Sequence, residues 1–500
     1  MKKISHSRNS VLTLLSWLIP LGLTFFATPF IVRGLGNEQY GLYALMTGFI
    51  AYSFTFNIGR AITKYVVEYN AAGEKEKVSK IISATFFLSL LVAAAGSLIL
   101  IFLSETLVNS VLLIEPASSA NTIFGLRIAA LCILLMIIGQ VFIAVVQATH
   151  RFDVYSLITT VTSSILIIGN VILVWKNFGF IALVEWNAFT LLISAVAFYL
   201  AAKKLEPETK ITFGFGREMF FTSLKYGMSV AGHQIFANIQ LLYERMLITR
   251  IAGPDKMTNY VVPMTMSIYI LIFMSNLTLN LMPYTSELFA KNRIDELEII
   301  YRRLTKFVCT LVVFICVALA VGSFSLLSNW IDTAFAAASS KVFIFQLATF
   351  GLLACMIISW QFIEGFGLPV YNTVSGFSWL LISIPLMFIL TNNYGIWGTA
   401  LARLLAELTI PVSIMLVEKK IFGKILGDLW LKIIGILSVA AIISGLAENY
   451  ILSRFSTSWL SLLFSMFVAG IIYLLIVWFS NLYSSEEKIW MKNQFKKVFV

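Results

Sequence analysis

Charged and strongly polar side chains stand within or just beside apolar runs at a small set of positions. These are Asn57 and Arg60, with Lys64 just past its run; Arg127; Glu185; the cluster His233, Gln234, Asn238, Glu244 and Arg245; Glu364; and Arg403 with Glu407. A charge near the centre of a bilayer costs several kcal/mol, so residues placed there normally face a cavity or a partner and mark a pathway. Cations outnumber acids in the set. Guanidinium groups match phosphate oxygens through paired hydrogen bonds, and Arg60, Lys64, Arg127, Asn238, Arg245 and Arg403 are together expected to line a cationic cavity that binds an anionic headgroup. His233, Glu244 and Glu407 are the groups that could exchange a proton or small cation.

Each of these positions also has a purely structural reading. Arg403 and Glu407 are four residues apart, the spacing at which a helix pairs opposite charges on its own surface. Arg60 and Arg245 lie near the ends of their runs, where a long side chain can snorkel to the interface, and Arg127 is only a turn or two inside its own. His233 can serve as a hydrogen-bonded packing residue. Arg33 and Arg250, each three residues before a glycine (Gly36 and Gly253), are expected to terminate helices by binding exposed carbonyls.

The elements that must position these residues are membrane helices. With 59% hydrophobic residues, 12% charged and a mean hydropathy of +0.89, the chain lacks the polar surface of a soluble domain. Runs long enough to span a bilayer are Val11–Val32, Gly41–Ile62, Ile81–Leu103, Thr122–Val146, Leu157–Trp175, Ile181–Ala201, Tyr226–Ile248, Tyr260–Met282, Phe307–Leu327, Val342–Ile363, Thr373–Leu390, Ile396–Val417, Ile433–Ile451 and Trp459–Ser480. The first is too long for the core of a cleavable signal and is expected to be retained. Cytoplasmic loops are enriched in Lys and Arg. With the amino terminus inside, 26 of the 36 basic residues fall in inside segments and 6 outside, the other four (Arg60, Arg127, Arg245, Arg403) lying within spans. Both termini are therefore expected in the cytoplasm. This topology also accounts for the net charge of +11, which a nucleic-acid-binding surface does not, because the basic residues are scattered among short loops.

The chain repeats. Arg33-Gly34-Leu35-Gly36 and Tyr40 return as Arg250-Ile251-Ala252-Gly253 and Tyr260, the arginines being 217 positions apart (33 to 250). Glu68–Val78, with its Gly73-Glu74-Lys75 turn, corresponds to Glu287–Leu297, 219 further on (68 to 287), and Val154-Tyr155 and Asn177-Phe178-Gly179 correspond to Val370-Tyr371 and Asn393-Tyr394-Gly395, 216 further on (154 to 370). Six spans per half is an even number, so both halves enter the membrane from the same side and a pseudo-two-fold axis along the membrane normal relates them. The expected fold is an all-α polytopic membrane protein of about 14 transmembrane helices, with an N-terminal six-helix lobe at 1–201, a cytoplasmic linker at 202–225, a C-terminal six-helix lobe at 226–417 and two extra helices with a basic tail at 418–500. The lobes are expected to face one another across a cavity.

Several function classes are excluded. The longest outside stretch, Ser104–Asn121, leaves no room for a soluble catalytic domain, and no P-loop, GxSxG or HExxH is present. Three scattered histidines make no metal site, and Cys132, Cys309, Cys316 and Cys355 show no CxxC spacing, so neither metal nor disulfide framework is expected, and no cofactor.

The segment Arg33-Gly34-Leu35-Gly36, Tyr40-Gly41-Leu42-Tyr43, Asn57-Ile58-Gly59-Arg60, Lys64 and Glu68-Tyr69, followed by the Gly73-Glu74-Lys75 turn, resembles the start of Wzx-type polysaccharide flippases of the multidrug/oligosaccharidyl-lipid/polysaccharide exporter superfamily. Glu244-Arg245, Gly253 and Tyr260 resemble the start of that family's second half. Asn57 and Glu244 depart from it, since Asp is frequent at both places. The resemblance implies a bacterial inner-membrane protein, not an enzyme, that moves undecaprenyl-pyrophosphate-linked oligosaccharide repeat units to the outer leaflet by alternating access for O-antigen, capsule or related lipopolysaccharide and surface-polysaccharide synthesis, beside polymerase and chain-length machinery. Ion countertransport through Glu244, Glu407 or His233 is one energy source; consumption of the glycan outside is another. Two alternatives remain. A cation-coupled multidrug antiporter of the same superfamily would want an acid-rich cavity, and a membrane glycan polymerase or ligase would want a large charged outer loop.

Overall fold

The computed structural model describes residues 6–53, 59–278, 281–455 and 457–489; Asn57, named above, lies outside them. These residues are helical with short connections and contain no strand. In lipid each backbone N–H and C=O must be satisfied within the chain, and helices do this segment by segment. Packing divides the chain between Thr258 and Asn259.

The first unit holds α1 (His6–Tyr52), α2 (Gly59–Ala71), α3 (Lys75–Thr106), a short π segment Leu107–Val111, α4 (Pro116–Ala148), α5 (Phe152–Trp175), α6 (Phe180–Leu205), α7 (Gly216–Ala252) and the start of α8 (Pro254–Leu277). The second holds the rest of α8, then α9 (Leu281–Ala290), α10 (Ile294–Val321), α11 (Ser323–Trp330), α12 (Thr333–Cys355), α13 (Ile357–Gly365), α14 (Pro369–Tyr394), α15 (Ile396–Glu407), α16 (Thr409–Phe422), α17 (Gly427–Arg454) and α18 (Trp459–Phe479). Twelve stretches among the described residues are long and apolar enough to cross a membrane. One of them, Leu18–Tyr52, is two helices, because Gly36 inside it is non-helical. Helix α7, 37 residues long, is long enough to span, but His233, Gln234, Asn238 and Gln240 make its middle too polar to be one of the twelve. The other two of the 14 runs expected from the sequence are Gly41–Ile62, part of which lies outside the described residues, and Tyr226–Ile248, which lies in α7. Large apolar side chains point outward along them, as for Phe102, Leu431, Leu460 and Phe479, the side that lipid covers.

The repeat is written in the backbone. Gly36 has φ 75°, ψ 164° and its counterpart Gly253 has φ 91°, ψ 161°. Gly73 and Asn292 share φ values of 76° and 55°, and His150 and Gly367, 217 apart (150 to 367), have 56° and 70°. Positive φ is open to glycine and tolerated by few other residues, Asn and His among them. The same turns are therefore kept at the same places although the residues differ. The first turn also meets its repeat directly. Thr258 Oγ1 donates to the Asn37 carbonyl at 2.5 Å, and at Gly41 any Cβ would collide with the Pro254 carbonyl.

Two expected loops are more ordered than composition implies. The irregular linker is reduced to Glu206–Phe215, because α6 runs on through Lys203 and Lys204 and α7 starts at Gly216. It is pinned to the first unit. Buried Glu206 takes hydrogen bonds from Asn70 (2.8 Å) and Lys75 (3.4 Å), Ser83 Oγ donates to the Lys210 carbonyl (3.1 Å), and Phe213 stacks on Phe87. The stretch Ser104–Asn121 is likewise mostly helical, as the end of α3, the π segment and the start of α4.

In the second unit α17 and α18 pair and lie along α10. Tyr473 donates to the Thr310 carbonyl at 3.0 Å, and the segment after α18 folds back so that Lys306 meets both oxygens of Glu487 at 2.7 Å. Burial, the largest single influence, pushes the Glu487 carboxyl up, but the Lys306 and Ser484 hydrogen bonds and the charges of Lys306 and Arg303 together outweigh it and leave the acid below its ordinary range. Glu418, buried in α16, accepts from Tyr301, Trp430 and the Leu426 amide at 2.7, 2.8 and 3.0 Å, tying α10, α16 and α17 into one block.

Candidate functional site

The sequence-selected residues fall into three settings, each lying within one unit. The first is on α2. Arg60 and Lys64 are one turn apart, both exposed, and neither forms an ion pair among the described residues. Lys64 Nζ lies 4.7 Å from the ring centre of Tyr65 and 4.9 Å from that of Tyr226 on α7. Tyr65 in turn stacks on Tyr69, whose ring is met by Lys77 Nζ at 5.7 Å. The result is a run of three phenol rings edged by cations. Partial burial, followed by the neighbouring Glu68, raises the Tyr69 hydroxyl above its ordinary value, so it stays neutral. Such a surface offers positive charge for phosphate and flat faces for a polar, weakly apolar ring. The three tyrosines were not among the sequence candidates; the i, i+4 spacing of Tyr65 and Tyr69 beside Lys64 was the available signal, while Tyr226 joins them only through the packing of α7 on α2.

The second setting is the seam of α1 and α7. Arg245 is 6% exposed and donates through Nη1 to the Ala44 carbonyl, while its guanidinium carbon lies 5.2 Å from the Tyr52 ring centre. Gly48 makes the room: a Cβ there would collide with Arg245 Cδ and sit 2.9 Å from Nε. Glu244 and Gln240 are fully buried on the same helix, and Asn238, also buried, accepts from Gln234 at 3.0 Å. The side chain of His233 lies outside the described residues. Arg250, expected to bind exposed carbonyls at a helix end, donates to the Ser110 and Val111 carbonyls at 3.3 and 2.9 Å, closing the π segment.

The third setting is α15. Arg403 Nε donates to Glu407 Oε1 at 3.0 Å, and the guanidinium lies over Phe350 of α12 at 4.7 Å. Both residues are buried. Arg127 stands apart from all three settings, with its Nη2 2.8 Å from Glu105 and its Nε 3.4 Å from Ser104 Oγ, largely in the open. Arg60 and Lys64 are thus brought together, as are Asn238, Glu244 and Arg245 on one helix and Arg403 with Glu407. Among the described residues, no group of three or more His, Cys, Asp or Glu is placed to hold a metal ion.

The family described as "Polysaccharide biosynthesis protein" matches residues 7–289, more than half of the chain and all of the first two settings. The chain belongs to this family. A Shigella flexneri protein named as an O-antigen transporter is 21% identical over 407 residues, covering 80% of this chain and 94% of that one. In fold, the chain is similar to the lipid II flippase MurJ in an inward closed conformation, with a TM-score of 0.70 at 16% identity over 94% of this chain and 98% of that one. It is also similar to an inward-facing multidrug resistance MATE family transporter of the MOP superfamily, with a TM-score of 0.69 at 13% identity over 82% and 98%. The fold is thus that of a multi-pass membrane protein, similar to these two transporters. The MurJ match leaves 6% of this chain uncovered, fewer residues than α17 and α18 hold together, so the extra pair has at least partial counterparts in that fold.

Proposed function

We propose that this polysaccharide biosynthesis protein is a flippase for undecaprenyl-pyrophosphate-linked oligosaccharide repeat units in the bacterial cytoplasmic membrane, working by alternating access with both termini in the cytoplasm. The glycan and pyrophosphate cannot cross hydrocarbon unaided, whereas the polyprenyl tail can stay in lipid, so the protein need only carry the head. The observation that carries this reading is the contrast in charge pairing. Arg127 and Arg403 have carboxylate partners, but among the described residues Arg60 and Lys64 form no ion pair; both are exposed, and Lys64 lies against the rings of Tyr65 and Tyr226. Phosphate is the ligand that unpaired, exposed cations favour, and ring faces suit the sugars that follow it. Arg245 supplies a further positive group deeper in the first unit, and Glu244 and Glu407 are the coupling acids of this reading. Polymerase and chain-length proteins that take up the product are its partners.

The test is flipping of the lipid-linked oligosaccharide in liposomes that contain the purified protein, scored by access of an external glycan-modifying enzyme, with and without a proton or sodium gradient. Arg60→Ala/Lys64→Ala is expected to lower the flipping rate by about tenfold or more, the loss of one or two charge-assisted phosphate contacts, with insertion intact. Wild-type protein that does not flip this lipid but expels small organic cations along a gradient would put the multidrug antiporter in its place.

A further inference from the structure

Helix α17 carries a single acid inside its apolar stretch, and it is an isolated one. Glu448, six residues before the Arg454 end of the helix, is fully buried, and neither of its carboxyl oxygens has a hydrogen-bond partner among the described residues. The acid is sealed against the junction of α10 and α11. A Cβ built on Gly322 would lie 3.2 Å from Glu448 Oε1 and 2.7 Å from Leu462 Cδ1 of α18. One turn earlier Gly445 lets α17 close on Val317 and Val321 of α10. Three helices therefore converge on one carboxyl through small or apolar groups.

Among the described residues no counter-charge reaches it. Helices α11 and α18 contain no Asp, Glu, Lys, Arg or His, and neither does α10 beyond Lys306. The other titratable groups on these faces are Cys309, Cys316 and Tyr473, which are bonded elsewhere, to the carbonyls of Cys355, Leu347 and Thr310. On α17 itself the nearest cation is Arg454, exposed and lying over the Tyr450 ring. Burial without donors or a partner charge disfavours a carboxylate far more than a carboxylic acid.

We propose that Glu448 is a proton-binding site that latches the accessory helices: the acid keeps its proton while the seam of α10–α11 with α17–α18 is closed, and yields it to water when α17 and α18 part from Gly322. The balance is simple. The closed seam holds COOH, the open seam holds COO⁻ with the proton on water, and closure takes the proton back. Because a ligand shifts an equilibrium only by its different affinity for the two states, raising the pH favours the open seam and lowering it favours the closed one. The site lies outside the repeated halves and does not depend on which substrate the protein moves.

Dicyclohexylcarbodiimide, a lipid-soluble reagent that adds to protonated carboxyls in apolar surroundings, tests this on the full-length protein in phosphatidylethanolamine/phosphatidylglycerol liposomes. Peptide mass spectrometry is expected to find the adduct on Glu448, falling at least about tenfold between about pH 6 and about pH 10 as the acid ionises, and to find none in Glu448→Gln. Amide hydrogen exchange, corrected for its intrinsic pH dependence, is expected to rise with pH in the peptides around Gly322 and Leu462 of the wild type and to stay flat in Glu448→Gln, whose amide mimics the neutral acid. No adduct on Glu448 at any pH, or an adduct whose yield does not change with pH, would overturn the proposal. So would equal exchange behaviour in the two proteins. Should the Gln variant fail to assemble, the carbodiimide titration of the wild type decides alone.

Discussion

Arg245 and Arg403 are buried to nearly the same degree, 6% and 4% exposed, yet they are held in different ways. Arg403 finds its anion on its own helix, one turn along, and lies over Phe350. Arg245 is held by the Ala44 carbonyl of α1 and the Tyr52 ring, in a space that exists because residue 48 is glycine. A carboxylate cancels a guanidinium, whereas a carbonyl dipole only orients it. The difference teaches that burial alone does not mark a binding cation. The α15 pair is largely self-neutralised and its first consequence is for stability. Arg245 is aimed by another helix, and its consequence is for what the α1–α7 seam can bind.

The sharpest way to break this comparison is to remove the acid. Glu407→Leu strips the buried Arg403 of the carboxylate at 3.0 Å, and an uncompensated buried charge costs about 3–5 kcal/mol. Replacing both residues, as Arg403→Met/Glu407→Leu, is expected to recover most of that loss, since apolar groups of similar volume often substitute for a buried pair without penalty. Thermal unfolding of the detergent-solubilised variants measures both. A double variant as unstable as the single one would mean that the loss does not come from the unbalanced charge of this pair.

The second variant acts on the other arginine without touching it. Gly48→Ala places a Cβ in collision with Arg245 Cδ, so the side chain or the helix must shift, an overpacking cost of about 1–3 kcal/mol. Transport is expected to fall with it. Because Gly48 acts through Arg245, the flipping rates of Gly48→Ala, Arg245→Ala and the double variant should be strongly non-additive. Additive losses would separate the glycine from the arginine and leave Gly48 a packing residue only.

What could be read from the sequence follows the distance over which each interaction acts. The α15 pair was legible because both partners share a helix at i, i+4. The spans and the repeat were legible because apolar length and turn residues are local, and the matched positive φ values at Gly36 and Gly253 and at Gly73 and Asn292 confirm the correspondence at those turns. The Ala44 carbonyl that orients Arg245 left no trace, since every residue has a carbonyl and only the packing of α7 on α1 selects that one. Tyr226 was invisible for the same reason. Glu448 is a different case: it lies inside the run Ile433–Ile451, with no cation within a turn in sequence, and its isolation is a local property that inspecting each span for charges could have found. In the linker, Glu206-Pro207 and two glycines indicate irregular chain, which Glu206–Phe215 is, but not the bonds to Asn70, Lys75 and Ser83 that fix it.

The smallest expected effect belongs to Arg127, and it bears on the comparison because this arginine also has an acid partner. Its pair with Glu105 crosses from α4 to α3, and both side chains are largely exposed, so water screens what burial intensifies at Arg403. Arg127→Ala is therefore expected to lower stability by only about 0.2–1 kcal/mol and to leave flipping within about twofold of wild type, a shift in barrier of under about 0.5 kcal/mol. A larger loss of flipping, unaccompanied by loss of stability and not reproduced by Glu105→Ala, would show that the guanidinium leaves its partner to bind substrate, and exposure would then matter more than pairing in choosing the binding cations of this fold.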